Sequence, residues 1–136
     1  DLLLSGQFSW EGSVSLVQKE EDNSICSHRF HILNGQEGKV LNEYLWSYLT
    51  SQEGHFLLNE NSPGSAGRNR PLNIGKLLKE KIPVPKMEIQ MEIKRLVIKT
   101  NNYVKYSKQR TELLKEYRQS LISEIVTGEL KVTTNG

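Results

Sequence analysis

The sequence predicts an α+β fold in which a small β-rich part with a short covering helix precedes one long C-terminal helix. Two patterns carry the prediction. Residues 1–33 hold short β-prone runs divided by turn-forming clusters, and residues 86–127 place seam residues at alternating spacings of four and three, apolar in a first and a last block and diluted by Thr100, Ser107 and Arg110 in the middle. Length adds a bound. The 136 residues, 36% hydrophobic and 25% charged, make one domain, or a small globular part joined to an extended element.

Taken in order, the β-prone runs are residues 2–5, 13–17 and 24–33, with turns at 9–12 (Ser-Trp-Glu-Gly) and 19–23 (Lys-Glu-Glu-Asp-Asn) between them. Val14 and Leu16 alternate with Ser13, Ser15 and Val17, and Cys26, His28 and Phe30 oppose Ile25, Ser27 and Arg29. This predicts a meander with one face buried. Over residues 40–50, Leu41, Tyr44, Leu45, Tyr48 and Leu49 recur at helical spacing with Gly54 near the end, and Tyr44 and Trp46 read as packing residues over the sheet. Residues 59–75 are a polar loop rich in Ser, Pro, Gly and Asn in which Arg68 and Arg70 bracket Asn69. A short helical turn follows at 74–78. Then Lys-Ile-Pro-Val-Pro at 81–85 is extended, and Pro85 is suited to the first turn of the long helix.

In that helix Ile89, Ile93, Leu96, Thr100, Tyr103, Ser107, Arg110, Leu114, Tyr117 and Leu121 follow the period of a seam that faces another helix. The packing set is Ile89, Ile93, Leu96, Val97, Val104, Leu114, Tyr117, Leu121 and Ile125. At 1.5 Å per residue, about 42 residues make a rod of roughly 60 Å, too long to be covered by so small a remainder. The helix therefore needs a partner, and a plain antiparallel hairpin or homodimer satisfies the same pattern. Lys94, Arg95, Lys99, Lys105, Lys108 and Arg110 fall between Ile93 and Thr111 with no Asp or Glu among them. Such a run is a solvated face, or a surface for an acidic partner or nucleic acid.

Net charge is only +2, yet residues 1–60 hold three Lys/Arg against nine Asp/Glu, and residues 61–136 hold fifteen against seven. A single cysteine, Cys26, excludes an internal disulfide, and no Asn-x-Ser/Thr acceptor free of proline occurs, so a reducing cytoplasm is expected. No segment approaches the ~20 apolar residues that span a bilayer. The opening Asp-Leu-Leu-Leu, without Met, reads like a strand entered midway and suggests a piece of something longer.

Catalytic signatures are missing. Gly-Gln-Glu-Gly-Lys-Val at 35–40 lacks the upstream Gly and the Ser/Thr of a phosphate loop, and Gly-Ser-Ala-Gly at 64–67 lacks the Lys-Ser/Thr. Cys26, His28 and His31 have zinc-ligating chemistry, but alternation separates His31 from the other two and no fourth ligand is spaced to match. His55 stands alone. No catalytic residue and no metal ligand is therefore expected, and the chain is expected to perform no chemistry itself.

Several segments carry a resemblance when taken in order. Residues 1–17 give a strand ending in Ser, a loop and a Gly-led strand, and Ser-Ile-Cys-Ser-His-Arg-Phe follows at 24–30. Then come Gly64, Ser65, Leu72, Ile-Pro-Val-Pro at 82–85, Gln90, the long helix, and Gln-Ser-Leu-Ile-Ser-Glu-Ile-Val-Thr-Gly-Glu-Leu-Lys-Val at 119–132. The set resembles the C-terminal part of the specificity subunit of a type I restriction-modification system. At the helix start the chain keeps Pro85, a hydrophobe and Gln90 of the family's Pro-Leu-x-Glu-Gln segment and lacks the Glu next to Gln.

The resemblance implies two regions: a partial target recognition domain over 1–85 that reads half of a split DNA site, and over 86–136 a conserved helical spacer that docks modification (methyltransferase) subunits. It implies a non-catalytic chain with no cofactor of its own. The family's complex uses S-adenosylmethionine, and ATP with Mg for restriction, in other subunits. The implied partners are double-stranded DNA, the modification subunits, and a second copy or the missing half through the long helix. For DNA contact the loops are the natural readers: Ser5, Gln7, Ser9 and Trp10 offer groups for base edges and the sugar-phosphate, while Arg29, Arg68, Asn69 and Arg70 offer groups for phosphates. A coiled-coil interaction module without DNA binding is the alternative, and an enzyme a distant third.

Overall fold

The structure, a computed structural model, describes residues 1–64 and 70–128. Its elements are strands β1 (Leu2–Ser5), β2 (Val14–Leu16) and β3 (Phe30–Leu33), then helices α1 (Asn42–Leu49), α2 (Gln52–Glu60), α3 (Ile74–Leu77) and α4 (Met87–Val126). The fold class is α+β, as the sequence predicts. The strand order is β2-β1-β3, with both pairings antiparallel.

The sheet is not a meander, because β1 and not β2 occupies its centre. Leu2 pairs with Leu16 on one side and Leu33 on the other, and Leu2 and Leu4 are fully buried. The third strand is also shorter than expected. Residues 24–29 are exposed and unpaired in the sheet, with Ile25 wholly open to solvent. The cause is the length of the template: β1 ends at Ser5, and Gly6 N–H donates to Arg29 O at 2.7 Å where the chain turns away. Nothing upstream of Arg29 has an edge to join. Within β3, His31 and Leu33 are half-buried while Phe30 and Ile32 are exposed.

Behind the sheet, Leu2, Leu4, Leu49, Leu58, Leu72 and Leu77 form the core, with Trp46 and Tyr48 packed against it. Trp46 also donates its indole N–H to Val14 O at 3.3 Å, which fixes α1 on β2. Helix α2 was not expected. Gly54 resembles a helix end in sequence, but here it lies in the first turn of α2, where a Cβ would stand 2.0 Å from Tyr48 O. It is the point where α2 crosses the end of α1. Ser51 caps α2 by accepting from Gly54 N–H at 3.3 Å, and Asn73 caps α3 by accepting from Lys76 N–H at 3.0 Å.

The chain divides into two compact units, Asp1–Val97 and Ile98–Gly136. The first includes the opening turns of α4. Gln90, 1% exposed, accepts from Leu41 N–H at 2.9 Å and donates to Lys39 O and Pro85 O, each at 2.9 Å. Tyr44 O–H donates to Pro83 O, and Lys94 pairs with Glu43 at 2.7 Å. Within this unit Val97 is buried and Ile93 half-buried, while Ile89 and Leu96 are exposed. The second unit is the rest of α4. There Val104, Leu114, Tyr117 and Ile125 are exposed and Leu121 is half-buried.

Replacing Gln90 by Leu keeps the volume and takes the side-chain amide away from the Lys39 and Pro85 carbonyls and from Leu41 N–H, all in part-buried hydrogen bonds. The expected loss is about 2–4 kcal/mol, read as a lower urea midpoint with an unchanged slope. A second expectation concerns Tyr44, whose pKa is raised above its ordinary 10.0 by burial first and by neighbouring Tyr48 second. Folding therefore favours the protonated phenol. That contribution is complete below the unfolded value and disappears as pH rises through the folded value. Tyr44→Phe should lower stability at pH 8 and show less further loss than wild type between pH 9 and 11, measured by urea unfolding.

Candidate nucleic-acid interface

Residues 5–12 form a loop whose shape is set by its own serines. Ser5 Oγ accepts from Gln7 N–H at 3.4 Å and Phe8 N–H at 3.1 Å, and Ser9 O–H donates back to Ser5 O. Gly12 closes the loop at φ 87, a left-handed conformation that a side chain would strain. Ser5 and Ser9 are both buried, so their hydroxyls hold the loop from within. Gln7 is exposed, and its carbonyl accepts from the Trp10 indole N–H at 3.0 Å.

Trp10 is half-buried and gripped from three sides. The Arg70 guanidinium lies 4.8 Å from the centroid of its ring, a stacking distance for a cation on an aromatic face. Arg70 is itself fixed, with Nε donating to Ser62 O at 3.0 Å and Nη2 to Asn59 O at 3.2 Å. Asn59 Nδ2 donates to Trp10 O at 3.2 Å. The fold thus brings Trp10 and Arg70, sixty residues apart, into one contact. Arg29 reaches the other side of the loop through its carbonyl, which accepts from Gly6 N–H, and the residue is exposed. Arg68 and Asn69 lie outside the described residues.

Asn59 and His55 complete the cluster and were missed in the sequence. Asn59 Nδ2 also donates to His55 O at 3.1 Å and lies 3.3 Å from His55 Nδ1, the contact of residues four apart on one helix face. Only recognition of α2 could have paired them. Its signal was present in Ser51 followed by Glu53 and by Leu57 and Leu58, and Gly54 obscured it.

Next to the cluster, Asn61 Oδ1 and Ser62 Oγ are buried without a hydrogen-bond partner among the described residues. The Asn61 amide nitrogen donates to Leu57 O at 2.9 Å and approaches Glu80 Oε1 at 3.4 Å. Chemically, the loop and the segments bonded to it offer an exposed amide at Gln7, a half-buried aromatic ring at Trp10 and cations at Arg29 and Arg70, the kinds of group that can meet base edges, sugars and phosphates. Among the described residues no three His, Cys, Asp or Glu side chains group to hold a metal, and Cys26 is exposed. No described helix is long and apolar enough to cross a membrane.

An α+β unit with a polar, cation-bearing loop and a long amphipathic helix fits a DNA-recognition protein. Comparison with protein families bears this out: residues 7–116 match the model described as the type I restriction modification DNA specificity domain. The chain belongs to this family, and its role is that of a DNA-binding specificity component of a type I restriction-modification system. Searches of curated proteins and of solved structures return no match.

The grip on Trp10 yields an energetic expectation. In a double-mutant cycle, Trp10→Ala and Arg70→Ala should couple by about 0.5–1 kcal/mol, the range of a partly exposed cation–π pair. Urea unfolding of the four proteins measures it.

Proposed function

We propose that this chain is a non-catalytic DNA-recognition and scaffold module that positions modification subunits on a split DNA site. The observation that carries it is the extent of the family match, which runs through residues 7–116 and so takes in both the loop at Trp10 and much of α4. In this reading residues 1–85 recognise double-stranded DNA, and residues 86–136 serve as spacer and docking element. Gln7 and Trp10 approach the bases and sugars, Arg29 and Arg70 take phosphates together with Arg68 and Asn69, and Ser5 and Ser9 maintain the loop that presents them.

The long helix serves docking in the same reading. Leu114, Tyr117 and Ile125 are exposed at seam spacing, which favours a partner helix from a second copy or from the other half of a specificity subunit. The same exposure favours the alternative, a coiled-coil module that binds no DNA. Salt separates the two readings, because phosphate contacts release counterions and the affinity of a DNA binder falls steeply as salt rises.

The test is to produce the chain with cognate type I modification subunits, purify the complex and sequence the methylated DNA of the cells. A stable complex that methylates a defined site is expected. A chain that never joins the modification subunits would sink the scaffold role, and a complex without site-specific methylation would sink the reading role. For the purified complex, Arg29→Ala should weaken DNA binding and reduce the slope of log affinity against log salt by about one, the contribution of one phosphate contact.

A further inference from the structure

Asn59 is where α2, the loop and Arg70 meet. Its side-chain amide donates to Trp10 O at 3.2 Å and its own carbonyl accepts from Arg70 Nη2 at 3.2 Å, while the guanidinium of Arg70 lies 4.8 Å from the Trp10 ring centroid. The three residues close a ring of contacts around the tip of the loop. We propose that Asn59 is a positioning residue for DNA readout: it holds residues 7–12 in their reading shape before DNA arrives, and so sets base discrimination without itself touching a base. This inference rests on the DNA-reading role proposed above.

The physical case begins with what the loop lacks. Between the end of β1 at Ser5 and the start of β2 at Val14 no sheet ladder constrains the chain: Gly6 is anchored to Arg29 and Leu72, but past it the loop's internal hydrogen bonds fix its curl and not its placement against α2. The Asn59 amide supplies a link to α2 across 49 positions of sequence. An amide nitrogen carries two N–H groups, and the His55 carbonyl, 3.1 Å away, takes one of them. With one N–H held on its own helix by His55, whose Nδ1 also lies 3.3 Å away, the amide is anchored on α2 while it reaches Trp10 O at 3.2 Å. Discrimination between bases depends on where Gln7 and Trp10 stand relative to the base edges. A loop held in place before binding also avoids an ordering cost on contact.

The test compares wild type, Asn59→Ala and Tyr44→Phe, each in complex with the modification subunits. Tyr44→Phe removes a hydrogen bond to Pro83, far from the loop in sequence, and controls for lost stability. Genome methylation is read by sequencing, and backbone amide exchange is measured on the purified chains. In Asn59→Ala, methylation at sites that differ by one base should rise about tenfold relative to the wild-type site, within the range that one base contact contributes. Amides of residues 8–14 should exchange about tenfold faster while those of β1 and β3 keep their rates, and Tyr44→Phe should retain the wild-type methylation pattern. An unchanged site ratio overturns the inference. So does a uniform fall in methylation that follows the amount of complex, since that marks a purely structural residue. If the wild-type complex methylates no defined site, it is the DNA-reading role that has failed. The exchange measurement then decides separately whether Asn59 holds the loop, and unchanged rates at residues 8–14 overturn it.

Discussion

The first unit depends on one buried amide. Gln90 has both of its donors and its acceptor engaged, with Lys39 O, Pro85 O and Leu41 N–H, and it is almost wholly removed from water. A buried amide is tolerated only when its groups are satisfied, and satisfying this one specifies where three chain segments lie. Leu41 precedes α1, Pro85 precedes α4, and Gln90 is in the first turn of α4. The Tyr44 bond to Pro83 and the Lys94 pair with Glu43 repeat the same connection on either side. The start of α4 is therefore built into the globular unit through polar contacts together with the buried Val97 and half-buried Ile93, while Ile89 and Leu96 face solvent.

A second junction governs the candidate interface. Gly6 N–H donates to Arg29 O, and Gly6 O accepts from Leu72 N–H at 2.8 Å. A Cβ on residue 6 would stand 2.7 Å from Arg29 O, so only glycine lets the three segments approach this closely. Immediately past this point the loop of residues 7–12 turns out toward α2. The junction joins β1, the segment before β3 and the segment before α3, and it places Arg29 and Arg70 on chain stretches that both reach the loop. The acidic composition of residues 1–60 does not prevent a local cationic surface. Arg70 is contributed from the basic half of the sequence and stacked directly on Trp10.

Much of this was legible in the sequence, and the reasons for success and failure differ element by element. The long helix, the β-prone runs at 2–5 and 13–17, α1 with its inward Tyr44, and the short helix at Ile74–Leu77 follow from local periodicity, turn-forming clusters and Pro signals. The ordered motifs, Gln90 among them, pointed to the family that the match over residues 7–116 establishes. Helix α2 was hidden because Gly54 has two meanings: a glycine ends many helices, and it also permits a close crossing. Sequence alone cannot separate these, because the Tyr48 carbonyl that requires the glycine belongs to the preceding helix. The excess length assigned to the third strand has a similar cause. Residues 24–29 have an acceptable β composition, but a strand exists only where another strand offers it hydrogen bonds.

By itself, then, the sequence determined the element types, the non-uniform distribution of charge and the apolar seam of α4, all of which depend on residues within a few positions of one another. Only the tertiary structure decided that β1 is the central strand, that Gln90 joins α1 to α4, and that Trp10, Asn59 and Arg70 share one site. Those contacts link residues dozens of positions apart. Such pairings are selected by which arrangement buries Leu2 and Leu4 and leaves the fewest polar groups unsatisfied, a property of the whole packed chain and not of any window along it.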